Sequence, residues 1–342
     1  MQNSQNLIGI NSKWITEKDI EKNNYKNYVL GHIKNLNTDI IHVHGLWRSS
    51  SRIYKLYLKE NIPYIISPHG MLDGWALNQS KFKKKIYWSI IEKWAIKSST
   101  CIHALCKSEV DSIKSIGIKN NIALIPNGIS IINKNQLKNL PRPPWESFVP
   151  EKSKILLFFG RFHRKKGIKE LLDSWKIFSE KNINSNWWLV FIGYGKDINP
   201  KELIKKNNIK NCISLDAVFN NKLKASSYLN SEAFILPSFS EGLPISVLEA
   251  MSFNKASFIT KECNLNNAFD KKAAIEINTD KYHLANTLEK YLIKNNQELN
   301  NFGLNAFEFV KENYSWEKIS LMTKIFYNWI DGHGDKPPFI VS

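Results

Sequence analysis

The 342-residue chain contains no apolar run near the roughly 18 residues that a membrane-crossing helix requires, so it is expected to stay in solution or on a membrane surface. It has only four cysteines, Cys101, Cys106, Cys212 and Cys263, far apart and without the paired spacing of a zinc site or a redox motif. Reduced thiols in a cytoplasmic protein, with no structural metal, are the simple reading. The first nine residues lack the basic-then-apolar pattern of a secretory signal. Internal repeats and low-complexity tracts are also missing. Acidic residues are scarce: 31 Asp and Glu stand against 48 Lys and Arg, for a formal charge of +17. Part of that excess follows a general bias toward Ile, Lys and Asn. The rest implies attraction to something anionic, whether nucleotide phosphates, an acidic membrane surface, an acidic polymer or nucleic acid.

What is present is a series of short apolar runs alternating with helical patterns, the mark of parallel α/β layers. Length and 43% hydrophobic content suit two domains, each with its own core. Strands are predicted at 40–43, 64–67, 100–104 and 122–125, with helices at 49–59, 81–97 and 107–116. Pro141, Pro143, Pro144 and Pro150 then mark a linker at 133–152, which divides the chain into residues 1–132 and 153–315. The second series has strands at 154–159, 187–192, 233–236, 256–260 and 273–277, and helices at 167–181 and 222–229. The end reads as helices, the last at 316–330.

Two carboxylates, Glu241 and Glu249, span a change from strand to loop to helix, with Pro244 read as the first helical residue. A helix start beyond the carboxyl end of a parallel strand suits a phosphate or a polyol hydroxyl. At the end of an earlier strand stands Gly160-Arg161-Phe162-His163-Arg164-Lys165-Lys166-Gly167, in the place where open α/β sheets bind ligands. Arg161 through its planar fork and Lys166 as a point charge can clamp a diphosphate. Read alone, Arg164 to Lys166 is more often just a solvated basic turn. His42 and His44 alternate on one strand without a third ligand at metal spacing, so they read as core or cleft-lining groups.

Taken in order, these motifs resemble the retaining glycosyltransferases of family 4, which have the GT-B fold of two Rossmann-like domains facing across a cleft. The resemblance rests on Gly160-Arg161 with Lys166-Gly167, then Pro237-Ser238 with Glu241-Gly242, then Glu249-Ala250-Met251. Supporting stretches are His42-Val43-His44-Gly45, Pro68-His69-Gly70-Met71, Pro126-Asn127-Gly128 and Tyr314-Ser315-Trp316. It implies that Arg161 and Lys166 neutralise the diphosphate of a nucleotide-sugar donor, and that Glu241 binds the donor sugar's hydroxyls. It further implies that Glu249 holds the ribose, that Gly242 and Leu243 offer backbone N–H groups, and that His69 with Gly70 faces the reacting sugar. Gly160 belongs to the same loop, and Tyr194, Gly195 and Val218 are implied around the base. Gly45 and Asn127 are candidate cleft positions, Asn127 being alternatively a turn residue with positive φ. No cofactor or metal is implied beyond the donor itself. The acceptor is implied to be a glycan or lipid-linked sugar in polysaccharide or lipopolysaccharide synthesis, and helix 316–330 is implied to pack back toward the first domain.

Members of that family usually open with a strand, a Gly-rich loop and a helix, whereas residues 1–37 contain only Gly9 and Gly31. The first sheet is therefore expected to lack one β-α unit. Asn254-Lys255 and Ala217 stand where family members often have glycine. Competing readings are a GT-B remnant that binds nucleotide without turnover and a basic nucleic-acid-binding protein; no nucleic-acid module supports the latter. Helix 81–97 places Phe82, Ile86, Ile90 and Trp94 on one stripe, with Lys83, Lys84, Lys85, Lys93 and Lys97 largely elsewhere. Such a stripe more often packs on a sheet than lies on an anionic membrane.

Overall fold

The computed structural model describes residues 25–47, 49–74, 86–131 and 139–342. Phe82, Lys83, Lys84 and Lys85, together with 133–138 of the expected linker, lie outside the described residues. The central short strands Tyr64–Ser67, Ala233–Leu236 and Ala256–Ile259 are buried along their whole length, as in parallel sheets packed on both faces.

The first sheet joins β1 (Ile41–His44), β2 (Tyr64–Ser67), β3 (Cys101–Ala104), β4 (Ile122–Leu124) and β11 (Ile340–Val341) in the order β1-β2-β3-β4-β11. Its first four strands are parallel, and β11 runs antiparallel to β4. The second sheet is parallel throughout: β5 (Lys154–Arg161), β6 (Trp187–Tyr194), β7 (Cys212–Asp216), β8 (Ala233–Leu236), β9 (Ala256–Ile259) and β10 (Ile275–Glu276), in the order β10-β9-β8-β5-β6-β7. The protein is thus α/β with two Rossmann-like sheets. β5 and β6 run on past their predicted ends, so Gly160, Arg161, Gly193 and Tyr194 belong to strand termini and pair in register.

Three apolar clusters hold this together. One surrounds Phe158, Trp175, Phe191, Phe234 and Phe258 in the second sheet, and another surrounds Ile66, Ile96 and Ile102 in the first. The third joins Ile319 and Phe326 of the helix Trp316–Ile330 to Ile65, Cys101, Ala123 and Ile340 of the first sheet. That helix starts against Gly128: a Cβ there would lie 2.4 Å from the Trp316 ring. Ile129 and Trp316 add backbone bonds, Ile129 N–H to Tyr314 O at 2.7 Å and Trp316 N–H to Ile129 O at 3.1 Å. Gly128→Ala is therefore expected to destabilise the chain by about 1–3 kcal/mol, read by urea unfolding, and Trp316→Ala in the same chain to recover most of the loss.

Some elements differ from expectation. Helix 49–59 breaks at Ile53 into Ser49–Arg52 and Tyr54–Lys59. Pro244 caps the helix Ile245–Ser252 from outside, with extended backbone, instead of being its first residue. The described part of helix 81–97 widens into a π turn at Trp88–Glu92 before the α-helix Lys93–Lys97. Its predicted apolar stripe does not pack on the sheet: Ile86, Ile90 and Trp94 are exposed. Buried Glu92 explains this. Its Oε1 accepts Trp47 N–H and the Ser51 hydroxyl, both at 2.8 Å, and so turns that side of the helix inward. Asn254 adopts φ 59°, a left-handed position that asparagine tolerates and that glycine fills freely.

Candidate functional site

The site is built from loops at the carboxyl ends of strands in both sheets, where parallel sheets leave side chains free to converge. On the second sheet the loop after β5 makes a short turn, Arg164–Lys166, ending in Gly167 at φ 66°. Only glycine fits there, since a Cβ would sit 2.0 Å from Pro237 O. This close approach seals the β5 loop to the loop after β8, reinforced by Phe239 N–H donating to Lys165 O at 2.7 Å.

The seal brings together two of the predicted residues. Lys166 Nζ donates to Glu241 Oε1 at 2.6 Å, and both side chains are almost completely buried. Ser238 donates to the same oxygen at 2.6 Å. The carboxylate is held further through its backbone, by Glu241 N–H to Glu262 O at 3.0 Å and by Asn264 Nδ2 to Glu241 O and Gly242 O at 2.7 and 2.9 Å. Glu241 Oε2 takes no hydrogen bond among the described residues and remains available to a hydroxyl. Arg161 lies exposed at the end of β5 and pairs with no carboxylate among the described residues. Arg164 does not join it: its guanidinium and N–H bind Asp197, at 2.8 and 2.7 Å, and hold that carboxyl well below the usual range. The solvated-turn reading is right for Arg164 and wrong for Lys166.

Glu249 stands farther along the helix Ile245–Ser252, paired with Lys224 and accepting the Tyr228 hydroxyl at 2.9 Å. Tyr194 and Gly195 line a cavity of about 840 Å³ with Ala217, Phe219 and Asp216. Val218 instead packs against the second core, and Phe219, missed in the sequence, stands 81% exposed with its ring 5.8 Å from that of Tyr194. Leu243 is buried and borders a separate cavity of about 520 Å³ shared with Cys106, Pro126 and Tyr314.

The opposite wall comes from the first sheet. His69 and Gly70 follow β2, both at positive φ, 53° and 71°. The strain at His69 is sustained by a residue the sequence reading overlooks. Glu109, 1% exposed, accepts Gly70 N–H at 2.6 Å and Leu105 N–H at 2.8 Å through its two oxygens. Its signal was a carboxylate in the first turn of the helix Lys107–Ser115. Asp73, four residues after His69, has its carboxyl pushed up to about 6 by burial and by Glu109; Lys165 on the other sheet opposes this, which marks where the two walls approach. Gly45, at φ 85°, donates to Ser67 O at 2.8 Å beside the same loop. Asn127 is half-buried without positive φ, so it is not the left-handed turn residue considered from the sequence.

Behind this wall runs a chain of neutral imidazoles. His103 Nε2 lies 2.7 Å from Ile125 O, which can only accept, so that nitrogen carries the proton. His103 Nδ1 then accepts from Ser67 at 2.8 Å, Ser67 accepts from His42 Nε2 at 2.7 Å, and His42 Nδ1 accepts the Tyr327 hydroxyl at 2.7 Å. Burial above all, then neighbouring histidines, lowers His42 to about 3; burial is also the main cause that lowers His103 to about 4. His44 Nδ1 meets His69 Nε2 at 2.9 Å, and burial depresses both, so His69 presents a neutral ring to the cleft. Among the described residues no group of His, Cys, Asp or Glu is arranged to hold a metal ion.

Comparison with known proteins agrees with this arrangement. Residues 21–131 match the model of Glycosyltransferase Family 4, and residues 142–309 match that of Glycosyl transferases group 1. The chain belongs to the group 1, family 4 glycosyltransferases. The two matches fall on the two walls of the cleft. It is 26% identical over 268 residues, 71% of this chain and 65% of the other, to the N,N'-diacetylbacillosaminyl-diphospho-undecaprenol alpha-1,3-N-acetylgalactosaminyltransferase of Campylobacter jejuni. It is 27% identical over 264 residues to the UDP-Gal:alpha-D-GlcNAc-diphosphoundecaprenol alpha-1,3-galactosyltransferase of Escherichia coli, covering 68% of this chain and 61% of that one. The chain spans between 33% and 65% of the length of the first curated relatives it matches. Among solved structures, sucrose-phosphate synthase from Thermosynechococcus elongatus superposes with a TM-score of 0.72 at 17% identity, over 94% of this chain and 81% of that one. That likeness shows a shared GT-B fold.

Proposed function

We propose that this glycosyltransferase moves a sugar from a nucleotide-diphosphate sugar to a lipid-linked or glycan acceptor, with retention at the anomeric carbon, in cell-surface polysaccharide or lipopolysaccharide synthesis. The observation that carries the reading is the Lys166–Glu241 pair, buried where both loops close and flanked by the exposed Arg161. The C1–O bond to the diphosphate breaks, its electron pair passes to the phosphate oxygen, and the acceptor oxygen bonds C1 from the same face. The acceptor's proton goes to the leaving phosphate. Arg161 and Lys166 supply the positive charge that the departing phosphate needs, worth several kcal/mol in a dry site and without requiring a divalent ion. Glu241 accepts a sugar hydroxyl through Oε2, and the neutral His69 ring faces the same sugar. Glu249 reaches the ribose by exchanging its Tyr228 or Lys224 bond, and the base stacks in the Tyr194–Phe219 cavity.

The lipid-linked acceptors named for the Campylobacter and Escherichia relatives support an acceptor of that kind and a working place at the inner face of a membrane. No described helix is long and apolar enough to cross one. Titration with uridine and guanosine diphosphates, followed by turnover assays on the common nucleotide-sugars, tests the proposal. Arg161→Ala is expected to lower turnover by about 10²-fold. Nucleotide binding without hydrolysis or transfer from any donor would leave a nucleotide-binding remnant in its place.

A further inference from the structure

The helix that follows the His69 turn presents an apolar face that stands exposed among the described residues. Ile86, Ile90 and Trp94, spaced four residues apart, are 45%, 64% and 52% exposed. The face cannot turn inward, because the opposite one is fully engaged. Ala95 and Ile96 are wholly buried, Ala95 O accepts the Tyr64 hydroxyl at 2.6 Å, and Glu92 holds Trp47 and Ser51. Glu92 is also the sole carboxylate between residues 86 and 97, and it points into the protein. The charges left around the apolar stripe are cationic. Lys93 and Lys97 lie on the same helix, and Arg52, on the neighbouring helix Ser49–Arg52, stacks 4.9 Å from the ring of Tyr87.

We infer that this face docks on an anionic lipid surface, with Ile86, Ile90 and Trp94 entering the headgroup boundary and Lys93, Lys97 and Arg52 meeting lipid phosphates. Charge complementarity selects this occupant: an apolar row on a helix whose outward charges, among the described residues, are all cationic suits a negatively charged bilayer, and tryptophan is at home at such an interface. β2 connects docking to chemistry. Its first residue, Tyr64, anchors the helix, and the turn beyond its last carries His69. The inference rests on the proposed lipid-linked acceptor, since a bilayer-held face delivers such an acceptor to the cleft wall on the same strand.

Co-sedimentation of the full chain with phosphatidylcholine vesicles, with and without phosphatidylglycerol, tests it. The chain is expected to pellet with the anionic vesicles and to be released by salt. Ile90→Glu with Trp94→Glu is expected to lower the vesicle affinity at least about tenfold. Lys93→Glu with Lys97→Glu is expected to weaken binding to anionic vesicles alone. Ile90, Trp94 and Lys97 are exposed and Lys93 is half-buried, all outside the cleft, so melting temperature and nucleotide affinity in solution should stay close to those of the parent chain. Absence of pelleting, variants that pellet like the parent, or a dimer in solution that Ile90→Glu separates would each overturn the inference. Normal pelleting by a chain that turns over no nucleotide-sugar would instead reject the proposed transferase and leave the docking face standing.

Discussion

Replacing Lys166 with methionine is expected to lower sugar transfer by about 10²–10³-fold and to destabilise the fold by about 3–5 kcal/mol. The two losses have different origins. Turnover falls because the leaving phosphate loses a fixed cation. Stability falls because Glu241, which is 9% exposed and accepts Lys166 at 2.6 Å, becomes a buried carboxylate without its counter-charge. Adding Glu241→Leu removes that charge, so the double variant is expected to return close to the parent stability while staying inactive. Urea unfolding and donor turnover measured on the same three chains separate the effects. Parent-like turnover in the single variant would remove Lys166 from the phosphate path.

Acidification gives the second large effect. His42 and His103 are held neutral in the fold, at about 3 and about 4, and titrate near 6.5 when unfolded. Between those values the unfolded chain binds protons that the folded chain refuses, so stability falls as pH drops below 6.5. At about 1.4 kcal/mol per pH unit, each histidine costs about 2 kcal/mol on reaching pH 5. The two histidines together should therefore remove about 4 kcal/mol of stability between pH 7 and 5, offset by about 1 kcal/mol from Asp73, which takes up its proton near pH 6 in the fold and only near 4 when unfolded; His103→Gln should remove about half of the histidine share. An unfolding midpoint unchanged over that interval would show that the imidazole chain titrates normally.

Much of this protein can be read in the sequence because parallel strands are continuous apolar runs that end in glycine or proline. Gly160-Arg161, Glu241-Gly242 and His69-Gly70 are all legible as strand ends in the sequence itself. The residues that hold them could not. Glu109 and Ser67 act through partners distant in sequence, and nothing in their local pattern distinguishes them from an ordinary helix carboxylate and a strand serine. The ion pair between Lys166 and Glu241 likewise depends on Gly167 meeting Pro237, a contact between two loops that lie far apart along the chain. The stripe at Ile86, Ile90 and Trp94 faces outward, against the sequence expectation, for a related reason. Periodicity identifies an apolar face but not its direction, and here one buried carboxylate, Glu92, decides it.

The pairing of β11 with β4 has a consequence for synthesis. Ile340 and Val341 add a strand to a sheet whose other described strands are made before residue 125, and the helix Trp316–Ile330 closes over the same sheet. On the ribosome, the first half of the protein must wait, with one strand edge and an apolar face unprotected, until the second half has been made and can fold. Residues near 340 thus finish the domain begun first. A bulky insertion beside Ile340 would interfere with the half of the molecule most distant from it in sequence.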